Sequence, residues 1–166
     1  LIQRSGGVDG FIIYIKSKLK NIESEEHLAE NRRKVQLITA ITGVLIFVES
    51  NISILTTGTL FRPIFDKLKI PREKLAYLID SSSAPSCIIF PFNAWGAYIM
   101  GLLVLQGLDN PFAILFKSII YNFYPFLALG TVFYLIVSGK DFGPMKKAIT
   151  RANKEGKLIA DGATPM

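Results

Sequence analysis

Residues 75–86 read Leu75-Ala76-Tyr77-Leu78-Ile79-Asp80-Ser81-Ser82-Ser83-Ala84-Pro85-Ser86, and an apolar run then continues to Gly107. An acid, three hydroxyls and a proline interrupt what would otherwise be one long membrane helix. Bilayer hydrocarbon offers no water to such a break, which survives only where protein or a polar cavity surrounds it. The stretch therefore predicts a broken transmembrane helix over 75–107, with half of an ion or substrate site at residues 80–85.

Working outward, the rest of the chain has the same character. It has 166 residues, half of them hydrophobic, and a net charge of +6; the mean hydropathy is +0.37. The charges collect in blocks at 16–34, 62–74 and 140–157. The apolar segments between them are long enough to enter or cross a bilayer core about 30 Å thick. The fold class expected is an all-α polytopic membrane protein. Basic residues flanking apolar segments fit the positive-inside bias better than a nucleic-acid footprint, so the expected partner is the lipid bilayer and no nucleic acid. Cys87 is alone, which excludes an internal disulfide and a cysteine metal cluster.

The segment 35–60 is apolar but carries Glu49-Ser50-Asn51 in its middle and basic residues on both flanks. A single crossing would put one basic flank on the wrong side. A re-entrant helical hairpin over 35–61 puts both on one side and sets Glu49, Ser50 and Asn51 at a buried tip. The block 62–74, with five Lys/Arg against two acids, reads as a basic loop. Pro71 and Glu73 there suit the start of a helix. Leu108-Asp109-Asn110-Pro111 reads as a turn, and 112–138 as a further transmembrane helix kinked at Pro125. The loops 16–34, 62–74 and 139–166 then all fall on the cytoplasmic side. Residues 1–10, with Ser5-Gly6-Gly7 and Gly10, read as the end of a helix, and 161–166 as a polar tail.

Intramembrane acids are costly and mark functional sites. Asp80 sits where a half-helix would end, and a cation there relieves its conflict with the helix dipole. Ser81, Ser82 and Ser83 offer hard oxygen ligands suited to Na⁺. Glu49, desolvated, could hold a proton near neutral pH, with Ser50 and Asn51 as further ligands. Proton and cation competing for one carboxylate is a minimal antiport mechanism. Pro85, opening the second half-helix, and Asn93 would line a substrate cavity. The alternative for Asp80 and its serines is a capping turn. No cofactor is implied beyond Na⁺ and H⁺ as transported ions, and no nucleophile–base arrangement points to an enzyme.

Gly58-Thr59-Leu60-Phe61-Arg62-Pro63, Pro71-Arg72-Glu73-Lys74-Leu75-Ala76-Tyr77, Asp80-Ser81-Ser82-Ser83-Ala84-Pro85 and Trp95-Gly96-Ala97 together resemble the NhaC-type Na⁺/H⁺ antiporter family. Arg4-Ser5-Gly6-Gly7 with Gly10-Phe11 adds to the resemblance. It implies the second half of an inverted-repeat transporter of the cytoplasmic (inner) membrane, with Na⁺ at Glu49 and Asp80, completed by an N-terminal half and possible as a homodimer. The family often carries two aspartates and a tyrosine where this chain has Glu49, Ser50 and Asn51. Some relatives in the wider superfamily move organic acids such as malate and lactate. The expectation is thus Na⁺/H⁺ antiport, with an organic-acid carrier or a non-transporting membrane scaffold as alternatives.

Overall fold

The computed structural model describes residues 27–160, together with Gly10, Ile13, Ser17 and Gly162. The helix end expected at 1–10, most of the connector at 16–34 and nearly all of the tail at 161–166 lie outside the described residues. Within them seven helices follow one another: α1 (Leu28–Leu45), α2 (Ser50–Lys67), α3 (Arg72–Ile89), α4 (Ala94–Leu105), α5 (Pro111–Ile119), α6 (Phe123–Ser138) and α7 (Gly143–Glu155). The all-helical class is as expected.

Helix α3 is the hub. It packs against α1, α2 and α6, and touches α4 and α7. The face α1 turns inward carries Val35, Thr39, Ala40 and Gly43, small side chains at helical spacing that let backbones approach. From α2 come Phe61, Ile64 and Phe65, which meet Leu75, Leu78 and Ile79 of α3 and Val132 and Ile136 of α6 in one core. That core fills the end of the bundle where α2 turns into α3. Phe61, Phe65, Leu68, Leu78 and Val132 are fully buried there.

The opposite end is built differently. Helices α4 and α5 pack chiefly on each other, with Gly96 and Leu115 their buried residues. Leu105, Tyr121, Phe123 and Leu127 stand at least two-thirds exposed. Two stretches, Arg72–Leu105 and Phe123–Glu155, are long and apolar enough to cross a membrane. Only 6% and 17% of their most apolar windows are buried by the chain itself. Core helices of a soluble domain are mostly buried, so this exposure points toward membrane association.

Four expectations are corrected. First, no break occurs at residues 80–85: α3 runs through Asp80, Ser81, Ser82, Ser83, Ala84 and Pro85 and ends at Ile89. The hydroxyls serve the helix backbone, with Ser82 Oγ donating to Ile79 O (3.3 Å) and Ser86 Oγ to Ser83 O (2.7 Å). Pro85 forfeits one backbone hydrogen bond without ending the helix. The break lies at Phe90-Pro91-Phe92-Asn93, between α3 and α4. A residue before proline avoids the α region, and Asn93 is a natural N-cap.

Second, the 112–138 helix is itself interrupted at residues 120–122, giving α5 and α6. Pro125 does not kink a helix interior; it sits in the first turn of α6, where its missing N–H is not needed. Third, most of the 62–74 loop is helical. Helix α2 continues past Pro63 to Lys67, and the turn proper is residues 68–71. Fourth, most of 139–157 is helix α7, whose inward residues are Ala148 and Ala152.

Candidate functional site

Two polar regions emerge from this arrangement. The first lies at the turn between α1 and α2. Glu49 is the N-cap of α2: its Oε2 accepts from the Ile52 amide and its Oε1 from Asn51 Nδ2, both at 2.8 Å. This fixes the hairpin turn at residues 46–49 and corrects the expected buried tip: Ser50 and Asn51 open α2, Glu49 and Ser50 are only half-buried and Asn51 is exposed. The tip meets the α3–α4 break. Asn93 Nδ2 faces three carbonyls, Cys87 O (2.6 Å), Phe90 O (2.7 Å) and Phe47 O (3.3 Å). Its Oδ1 accepts from the Gly96 amide at 3.0 Å. One amide thus closes the end of α3, opens α4 and holds the hairpin tip to both. The Phe47 and Phe90 rings stack beside it, centroids 4.9 Å apart.

Next to this junction is a cavity of about 420 Å³, lined by Ser50 at the start of α2, Pro91 of the break with Trp95 and Gly96 in the first turn of α4, and Ser118 at the end of α5 with Asn122 of the second interruption. Three interrupted segments therefore border one space. Gly96 is demanded here, since a Cβ would fall 1.8 Å from Pro91 O. Asn93 borders a smaller neighbouring cleft and acts as a cap. Pro85 is buried inside α3 and lines none of these spaces. Trp95 is 60% exposed and lines the cavity.

Below the tip the hydroxyls form a buried junction between three helices. Ser53 Oγ of α2 donates to Gly43 O of α1 at 3.1 Å and shares a 2.8 Å hydrogen bond with Ser83 Oγ of α3. Ser53, Ser82 and Ser83 are fully buried. A Cβ on Gly43 would fall 2.2 Å from Ser82 Oγ, so this glycine sets the α1–α3 distance. Ser82 and Ser83 are consequently packing groups, while Ser81 is only half-buried.

Asp80 stands apart. It is exposed on α3 and lines an open groove with Gly58, Thr59 and Arg62 of α2 and Arg72 and Ile79 of α3. Glu49 and Asp80 share neither this groove nor the cavity beside the junction. Among the described residues no cluster of three His, Cys, Asp or Glu side chains could hold a metal ion. Glu49, as the cap of α2, and Asp80, on the groove between α2 and α3, thus occupy different surroundings among the described residues.

The second polar region is the basic end, where the three charged blocks converge. Lys74, 1% exposed, pairs with Asp141. Arg151 reaches Glu73 at 2.5 Å, and Arg72 bonds Asp66 at 3.0 Å. Arg32 donates to Leu68 O (2.8 Å), Lys69 O (3.2 Å) and Asn153 Oδ1 (3.0 Å). Burial pulls its guanidinium below the usual arginine range, which still leaves it a cation. Charge blocks in the sequence located this end, but the pairing across 67 and 78 residues has no sequence signal. Gly43 and the second interruption were also missed. Asn122 followed by Pro125 was the signal for the latter.

No described protein family matches the chain, and no solved structure does. An uncharacterized protein of Haemophilus influenzae is 29% identical over 172 residues, covering 99% of this chain and 31% of its own length. The chain thus spans about a third of the length of that curated relative.

Proposed function

We propose that the chain is part of a secondary active transporter of the cytoplasmic membrane, exchanging Na⁺ for H⁺. The observation that carries this reading is the convergence of the hairpin tip and two helix interruptions on one cavity inside apolar segments. Irregular backbone at membrane depth is tolerated where it lines a cavity, and discontinuous helices at such sites bind substrate and coupling ions. The resemblance to the NhaC-type family supports the choice of cargo. Asp80, exposed along an apolar helix, is the better candidate for the exchanging carboxylate. Glu49 is engaged as a cap and contributes to holding Ser50 at the cavity rim. A carboxylate in that position on α3 is costly unless a cation or proton neutralises it.

The test uses the full-length protein in vesicles. Asp80→Asn should abolish Na⁺-driven proton movement; unchanged movement removes Asp80 from the exchange. A specific observation favours a second reading, the coupled carriage of an organic anion. The first turn of α4, through Trp95 and Gly96, lines the cavity and presents the positive end of a helix dipole, which suits a carboxylate. Uptake of labelled malate or lactate without Na⁺-driven proton movement would select that reading. Absence of both would leave a membrane scaffold.

A further inference from the structure

A cavity of about 340 Å³ opens at the basic end among α1, the 68–71 turn, the end of α6 and α7. Arg32, Arg33, Lys69 and Lys74 line it, with Asp141 as its one carboxylate. Lys74 and Asp141 neutralise each other, which leaves three cations. Arg32 spends three N–H groups on two carbonyls and an amide oxygen. None of these acceptors is charged, and a guanidinium has five N–H donors in all. Arg33 lies over Gly139, its Nη2 3.7 Å from where a Cβ would stand. Neither Arg33 nor Lys69 makes an ion pair among the described residues. Lys69 is held in a left-handed conformation (φ 52°), which turns the chain between α2 and α3 at the cavity edge. Ser138 adds a hydroxyl to the lining. A second cleft shares Gly139, Asp141 and Ile149 and adds Lys140 and Lys146, extending the positive surface outward past the exposed ring of Phe142.

We infer that this cavity binds a phosphate group, and that its source is the headgroup of an anionic phospholipid. The Arg33 fork, the N–H groups that Arg32 has left and the flexible Lys69 ammonium suit the oxygens of a phosphodiester. The position supports a lipid source. The cavity sits where the stretches Arg72–Leu105 and Phe123–Glu155 approach the basic end, and basic pockets between membrane helices are headgroup sites. The lipid source rests on the membrane reading; the phosphate chemistry does not.

The experiment has two arms on the purified full-length protein. Phosphatidylglycerol is titrated into phosphatidylcholine nanodiscs holding the protein, and inorganic phosphate is titrated into detergent solution. Arg33→Gln/Lys69→Gln is compared with Lys147→Gln/Lys154→Gln, which removes equal charge from exposed positions outside the cavity. Selective binding of phosphatidylglycerol, weakened about thirtyfold in the first pair and little changed in the second, supports the lipid source. Inorganic phosphate binding with the same dependence supports the site with a soluble source. Equal losses in both pairs, or no binding of either ligand, overturn it. A protein that fails to enter nanodiscs removes the membrane reading and leaves the phosphate arm to decide the site.

Discussion

The two ends of the bundle are held by different physics. At the basic end an aromatic and aliphatic core is tied by ion pairs, one of them buried, and by Arg32 reaching across to the α2–α3 turn. At the other end the holding between helices is done by one amide, a few hydroxyls and a pair of tilted rings, with the Glu49 carboxylate capping α2. A buried charge pair adds little net stability but needs both partners, since removing one leaves an uncompensated ion. Neutral hydrogen bonds are individually worth about 0.5–1.5 kcal/mol and can be exchanged. A scaffold pinned at one end and lightly tied at the other is suited to motion at the lightly tied end, where the cavity lies.

The comparison is broken most severely at Asp141. Asp141→Asn leaves the Lys74 ammonium buried without its counter-ion and should destabilise the protein by about 3–5 kcal/mol. Denaturant unfolding of the reconstituted protein measures it. The double variant Lys74→Met/Asp141→Leu, which replaces the pair by apolar bulk, should recover most of that loss. Failure of the double variant to recover would mean that the pair itself contributes net stability beyond what apolar bulk supplies.

Asn93→Ala is the matching cut at the cavity end. It removes an N-cap and strands carbonyls of Phe47, Cys87 and Phe90, for an expected loss of about 2–3 kcal/mol. The two variants should also differ in where they loosen the protein. Hydrogen exchange should rise around the hairpin tip and α4 for Asn93→Ala, and around α3 and α7 for Asp141→Asn. Gly43→Ala follows, at about 1–3 kcal/mol from overpacking, because its methyl meets Ser82 Oγ. Adding Ser82→Ala should return part of that loss; no return would show that the helices part elsewhere.

The legible parts of the sequence were those in which local chemistry and global position agreed. Charge blocks marked the basic end, and Glu49 with an apolar run on each side marked the hairpin tip. Asp80 through Pro85 misled because serine and proline in a helix have two outcomes. Serine hydroxyls can bond carbonyls within the helix, as Ser82 and Ser86 do, and then no break is needed. What decides between the outcomes is the neighbour: Gly43 and Ser53 supply a small polar face that accepts a hydroxyl-rich helix. That face belongs to other segments, so no window around residue 80 contains it. Phe90-Pro91-Phe92-Asn93, by contrast, carried its own break in proline and a capping amide, but its aromatic character read as continuous apolar helix.

The smallest effect expected separates Glu49 as a cap from Glu49 as an exchanging acid. Glu49→Gln keeps an oxygen for the Ile52 amide, so stability should change less than in any variant above. If Glu49 acts only through the cap, Na⁺-driven proton movement in Glu49→Gln vesicles should stay near wild type while Asp80→Asn vesicles lose it. Loss in Glu49→Gln with unchanged melting temperature would instead make the carboxylate itself part of the exchange. It would also require the tip and the Asp80 groove to approach each other during transport. Such movement belongs to the end of the bundle that no ion pair among the described residues holds, and Asn93→Ala, by freeing the tip, should then alter the rate of exchange as well as stability.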